Sequence, residues 1–203
     1  MANALDLDHF VVREQVGLLK LADTFEVLDP ATQQPVAVAR EKPGAWIHFL
    51  RFILNKQMLP TRIVVREAGD PEEGRLLFHL RRGFNLVRSS VTVYDDQDVP
   101  IGYFRSRFKL FSLGGGFRVF DMDDREVARL DGDWKGWNFQ FKGPNGEEIG
   151  VVTRQWGGLA KELFTSADTY RVSLTGAKGA PPTAKILLLA AALAIDIVFK
   201  EEA

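Results

Sequence analysis

Arginine is the residue type whose spacing in this chain most suggests chemistry. Arg75, Arg81, Arg82 and Arg88 are followed by Arg105 and Arg107, with Lys109 close behind. A guanidinium presents forked donors that match phosphate oxygens, so arginines gathered from neighbouring strands would form a surface for anionic headgroups. The same residues could equally line a solvated sheet face. A second basic group lies within Ala45–Met58, where Trp46, Phe49, Leu50, Ile53 and Leu54 recur at helical spacing. Trp46, Phe49 and Ile53 beside Arg51 and Lys56 describe a small interfacial helix, with aromatic anchors next to cations drawn to anionic lipid. Packing against the protein's own core would satisfy that apolar face as well.

Other chemistries find less support. His9, His48 and His79 are scattered, with no metal-ligand spacing and no nucleophile-elbow motif, so no enzyme activity is expected. Phe111–Phe117 is glycine-rich but follows neither phosphate-loop pattern. The acidic runs Asp95–Asp98 and Asp121–Glu126 lack the glycine and the terminal glutamate of a calcium-binding loop and read as hairpin turns. With no cysteine there is no disulfide framework, thiolate nucleophile, cysteine zinc site or palmitoyl anchor. A formal net charge of −1 argues against a nucleic-acid partner. The first residues, Met1 to Phe10, show neither a basic region nor a long apolar run, which predicts an intracellular protein, soluble or peripheral.

The elements that would position these residues are mostly strands. One phrase recurs: an alternating apolar strand, an Asp- or Gly-containing turn, and a second strand opening on an aliphatic residue. It occurs at Phe25–Asp29 with Pro35–Val38, at Val91–Asp95 with Val99–Tyr103, at Phe117–Asp121 with Glu126–Leu130, and at Trp137–Phe141 with Asn145–Val151. Alternation of period two marks strands with one buried face, and Asp, Asn and Gly supply the turn chemistry. Further strands are expected at Phe10–Arg13, Thr61–Glu67, Leu76–Arg81, Phe104–Leu110 and Thr169–Leu174, and short helices at Ala45–Met58 and Gly158–Phe164.

The chain then ends in an apolar segment, Thr183–Phe199, broken by a single carboxylate, Asp196. A helix apolar on every side must be buried. Ala184–Phe199 would rise about 24 Å, short of a hydrocarbon core of roughly 30 Å. A sheet of about twelve strands closes or splits to remove its edges, and a closed barrel has room for one central helix. The expected fold is therefore mainly β: a closed, roughly 12-stranded antiparallel barrel around a buried hydrophobic C-terminal helix. No linker interrupts it, so residues 1–203 read as one domain.

The run Ile149–Gly158 with its Gln155-Trp156-Gly157, the segment Lys161–Val172 with its Thr165-Ser166-Ala167-Asp168, and the apolar terminal helix together resemble the phospholipid scramblase family. They are also similar to the related LURP-one group. The resemblance covers about residue 21 to the end and is densest over 147–199. It implies a fold similar to the Tubby C-terminal domain, a twelve-stranded barrel around a hydrophobic helix. It also implies phospholipid-linked activity, ranging from lipid binding to calcium-triggered scrambling. Where that family places a calcium segment, only Asp168 remains as a charged oxygen ligand, flanked by Arg171 and Lys178. Calcium takes six to eight oxygens, so a tight calcium site and any other cofactor are not expected. The expectation is a peripheral protein at the cytoplasmic face of a membrane, binding anionic phospholipids. The alternative is a cytosolic scaffold for a protein partner or small ligand.

Overall fold

The computed structural model describes residues 4–15, 24–42, 60–69, 74–83, 90–106, 116–133, 138–154, 169–174, 176 and 180–199. A 3-10 turn, Ala4–Asp6, precedes twelve strands: β1 (His9–Glu14), β2 (Thr24–Leu28), β3 (Pro35–Glu41), β4 (Thr61–Glu67), β5 (Leu76–Arg82), β6 (Ser90–Tyr94), β7 (Pro100–Ser106), β8 (Gly116–Phe120), β9 (Glu126–Asp133), β10 (Asn138–Lys142), β11 (Glu148–Arg154) and β12 (Thr169–Ser173). Among the described residues one α-helix, α1 (Pro182–Phe199), follows. Each strand pairs antiparallel with its neighbours in sequence, and β1 pairs with both β2 and β12, which closes the barrel. The expected barrel is therefore the observed one.

Its hairpins owe their turns to side chains. Asp95 Oδ1 accepts hydrogen bonds from the backbone of Gln97 and Val99, each at 2.9 Å, and Asp121 Oδ1 does the same for Asp123 and Arg125. Asp29 Oδ1 caps Ala31 in the same manner. Asp98 and Asp124 then take positive φ, 64° and 62°, a conformation that Asp tolerates better than most residues. The acidic runs are thus working parts of turns, as their composition suggested. One element differs from expectation. Residues assigned to two strands, 99–103 and 104–110, begin a single strand, β7, that passes without a break from Pro100 to Ser106. The expected helices at 45–58 and 158–164 lie outside the described residues.

Alternation sorts the walls. Val91 and Val93, Phe117 and Val119, and Phe139 and Phe141 point inward, and with Phe10, Phe25, Phe78, Phe104 and Tyr170 they form one core cluster. α1 fills the lumen. Every residue from Ile186 to Ile195 is buried, Ala190 to Ala192 completely, which is the all-round burial that an all-round apolar helix requires. Pro182 opens the helix at the position where a missing N–H costs nothing, and the Pro181 carbonyl accepts from Ala184 and Lys185. Lys185 Nζ reaches Asp8 Oδ1 at 3.0 Å, which pins the start of α1 beside the start of β1. The helix therefore enters at the end of the barrel that carries the short turns and runs toward the other.

The wall must thin where the helix passes it, and Gly102 of β7 makes that possible. A methyl there would collide with the Phe120 carbonyl oxygen and come within 2.8 Å of the Leu187 side chain. Gly102→Ala is expected to destabilise the fold by about 1–3 kcal/mol through overpacking. Gly83→Ala, where a methyl meets nothing within 4 Å, is the control and should change little. Urea unfolding of both variants checks the pair; equal stabilities would remove the close approach from the account.

Candidate anion-binding face

Strict antiparallel order gives the barrel two unlike ends. Odd-numbered strands from β1 to β11 all finish at one end, here called the rim, and even-numbered strands finish at the turn end. Asp29, Asp95, Asp96, Asp98, Asp121, Asp123, Asp124 and Glu147 sit in the turns, with Arg75 and Arg125 for company. Arg13, Arg40, Arg62, Arg81, Arg105 and Arg154 lie toward the rim ends of their strands, with Lys42 just past β3, beside Glu14, Glu26, Glu41 and Asp131. Net charge is close to zero, yet the molecule is polarised, acidic at its turns and richer in cations toward its rim.

The outer wall from β4 to β10 carries cations and aromatics in register. Arg62 faces Arg81, Arg81 faces Thr92, Thr92 faces Tyr103, and Tyr103 faces Phe120. A second row runs Arg105, Arg118, Arg129, Lys142 across four adjacent strands. Glu126 lies between Arg118 and Arg129, at 3.6 and 3.3 Å, and Asp131 is 3.8 Å from Lys142. Arg105 is different. It is exposed, its guanidinium lies 5.1 Å over the Tyr103 ring and 5.4 Å over the Phe120 ring, and those rings stack 5.1 Å apart. Among the described residues no carboxylate pairs with Arg105 or with Arg62. Tyr103 donates its hydroxyl to Asp124, a bond that raises the tyrosine pKa above its ordinary value.

His79 lies on this same outer face and is fully buried. Its ring stacks parallel on Tyr94 at 4.8 Å, and Nε2 is 3.1 Å from Asp98 Oδ1 without a hydrogen-bond alignment. The same oxygen is 2.5 Å from Arg81 Nη2, and the Arg81 guanidinium lies 4.5 Å over the Tyr94 ring. Burial first, then the fields of Arg62 and Arg81, push the His79 pKa down to about 4, while Asp98 and Asp95 pull the other way. The imidazole is therefore neutral at physiological pH.

The arginines expected to act together are divided by the fold. Arg81 and Arg105 face outward on the patch just described. Arg82, one residue on, points into the lumen, is buried, and donates to Thr61 Oγ1 at 3.1 Å. Arg75 stands at the turn end, bonded to Glu67 at 2.6 Å, a bond that lowers the Glu67 pKa. Arg88 and Arg107 lie outside the described residues, as do Trp46, Phe49, Arg51, Ile53, Lys56 and Asp168. Sequence reasoning set Arg62 beside the 45–58 helix, weighed His79 only as a catalytic or metal-ligating group, and gave Tyr94 and Tyr103 no role beyond their strands. Strand parity was the available signal: odd positions of β5 share a face with His79, and pairing β4 with β5 sets Arg62 against Arg81. Among the described residues no group of three or more His, Asp or Glu could hold a metal ion, and no helix is long and apolar enough to cross a membrane.

These features define a helix-filled, closed antiparallel barrel with a cationic, aromatic flank. Over residues 7–202 the chain matches the model of the family described as Scramblase, and it belongs to that family. Its function is accordingly phospholipid-related at the level of the family. No solved structure matches it.

The His79 environment carries a pH signature. Its folded pKa lies below the unfolded value of 6.5, so between about 4 and 6.5 the unfolded chain binds a proton that the folded one refuses. This contribution to stability is complete above pH 6.5 and is lost as pH falls toward 4, by about 3 kcal/mol at most. His79→Phe, which keeps a ring against Tyr94, should lose less stability than wild type between pH 7 and pH 4.5 in urea unfolding.

Proposed function

We propose that this protein is a peripheral phospholipid-binding barrel that meets anionic membrane surfaces with its rim and the adjoining β4–β8 flank. The observation that carries the reading joins topology to sequence. Six connections leave the rim, after β1, β3, β5, β7, β9 and β11, and all four tryptophans of the chain, Trp46, Trp134, Trp137 and Trp156, belong to them. The same connections contain Lys20, Arg51, Lys56, Arg88, Arg107, Lys109, Lys135 and Lys161 against Asp23, Glu162 and Asp168. Tryptophan favours the membrane–water interface, and cations favour an anionic leaflet. Family membership supports a lipid partner, and Arg105, which pairs with no carboxylate among the described residues, supplies a cation already desolvated on one side by its aromatic neighbours.

In this reading Arg81 and Arg105, with Arg88 and Arg107 from the adjacent connections, attract headgroups. Trp46, Phe49 and Ile53, flanked by Arg51 and Lys56, anchor at the interface. The acidic turn end faces away from the membrane, on its cytoplasmic side.

Flotation with phosphatidylserine vesicles at low salt tests this directly. Wild type should float with the vesicles and remain behind with phosphatidylcholine alone, and added salt should release it. Arg105→Glu is expected to weaken binding about tenfold. Trp46→Asp combined with Phe49→Asp should abolish it while leaving the melting transition intact. A folded wild-type protein that ignores anionic vesicles at low salt would end the proposal and favour a scaffold for protein or small-ligand partners.

A further inference from the structure

Two like charges set directly opposite on neighbouring strands, with Cβ atoms about 5 Å apart, destabilise a sheet unless an anion lies between them. Arg62 of β4 and Arg81 of β5 are such a pair. Arg62 is exposed and has no carboxylate partner among the described residues. Arg81 has one, Asp98, and that contact is made from a turn residue at positive φ whose side chain is 59% exposed. An ion pair so open to solvent is worth little, so the carboxylate is readily exchanged.

Directly beneath lies His79. Nothing of it is exposed, neither ring nitrogen has a hydrogen-bond partner among the described residues, and Nε2 is 3.1 Å from the Asp98 oxygen that holds Arg81. A buried polar group without a partner is uncommon and asks for an explanation. Here the unpartnered nitrogen and the forked donors of Arg81 converge on one point, and Arg62 stands opposite Arg81, near enough for its charge to act on His79. That point is taken by a carboxylate oxygen of the protein itself.

We infer that Arg62, Arg81 and His79 form a binding subsite for a phosphate monoester, and that Asp98 occupies it as an internal competitor. Two guanidinium groups carry charge matched to the −1.5 to −2 of a phosphomonoester at neutral pH, roughly twice what a carboxylate supplies. Three terminal oxygens allow one bond to each of the three side chains, where Asp98 meets only Arg81 in hydrogen-bond geometry. The neutral imidazole donates from Nε2 once an oxygen sits in line with it. Tyr94, stacked on His79 and under Arg81, holds both donors in place. The inference names a headgroup chemistry for the flank proposed above and rests on that reading for its lipid source. The phosphate chemistry stands on the three side chains alone.

The test uses the full chain and Asp98→Asn, which keeps a residue tolerant of positive φ and removes the competing charge. Inorganic phosphate is titrated by calorimetry, and the His79 ring nitrogens are followed by NMR. In parallel, flotation compares phosphatidic acid vesicles with phosphatidylserine vesicles of equal surface charge. Asp98→Asn should bind at least about fivefold more tightly than wild type, because the site is no longer partly filled from within. The His79 resonances should shift on binding, and Arg62→Gln or Arg81→Gln in the Asp98→Asn background should abolish the gain.

Tighter binding of free phosphate assigns a soluble ligand. A preference for phosphatidic acid that Arg62→Gln removes assigns a lipid headgroup, and either result upholds the subsite. Its overturning result is an Asp98→Asn protein, folded by its melting transition, with no gain for phosphate or phosphatidic acid. Equal binding with and without Arg62 overturns it as well. Flotation on phosphatidylserine in that same experiment would leave the wider membrane reading standing. Phosphate binding without any flotation would remove that reading and keep the subsite.

Discussion

The pairing of β1 with both β2 and β12 is the constraint on which the rest depends. Once the first and last strands share a ladder, the sheet has no edge, and every wall residue is committed to lumen or outer surface by parity. A twelve-stranded wall leaves a lumen too wide for its own side chains to fill. Something apolar on all sides must enter, and α1 is that object. Closure also explains why the alanines of α1 are as necessary as its leucines. Ala190, Ala191 and Ala192 are fully buried, and opposite the helix the wall supplies phenylalanines such as Phe78, Phe139 and Phe141. Small against large across one interface is how a lumen reaches native packing density.

Strict up-and-down order has a second consequence, which is chemical. Odd-numbered strands always end at the rim, so what the chain writes after an odd strand is delivered to one end of the molecule. After β2, β6 and β8 come tight turns in which Asp29, Asp95 and Asp121 are spent on backbone N–H groups. Asp95 and Asp121 hold their own turns, while Asp98 and Asp124 reach sideways to the preceding outward-facing strand, to Arg81 and Tyr103. Each such hairpin thus clasps its neighbour with the same turn residue, a repeat of contact as well as of sequence. The carboxylates most suggestive of cation binding are largely consumed in this way.

Much of this was legible in the sequence because it is local. Thr61–Glu67 was expected as a strand and is β4, and the buried character of Thr183–Phe199 followed from its lack of any polar face. Hairpin turns were readable because Asp and Gly perform their roles within four residues of one another. What failed to show was register. Arg81 and Arg82 are adjacent in sequence and look like one basic site, yet a pleated strand must send them to opposite sides. The unity of β7 escaped because one strand was expected to end at Tyr103 and another to begin at Phe104, although inward and outward residues alternate straight through that point.

His79 was the least legible residue, and its case is instructive about where function hides in a barrel. Its type, isolated between Phe78 and Leu80, gives no hint of partners. Position decides everything: two residues before Arg81 on β5, opposite Val64 and Tyr94, and within reach of Asp98 in the turn that follows β6. Burial keeps the imidazole neutral and therefore a usable donor beside the two guanidinium groups. A closed sheet can thus set a neutral donor beneath a pair of cations on its outside wall without any contribution from the lumen. The inner face, filled by α1, carries the stability of the barrel, and the outer face is left to carry its chemistry.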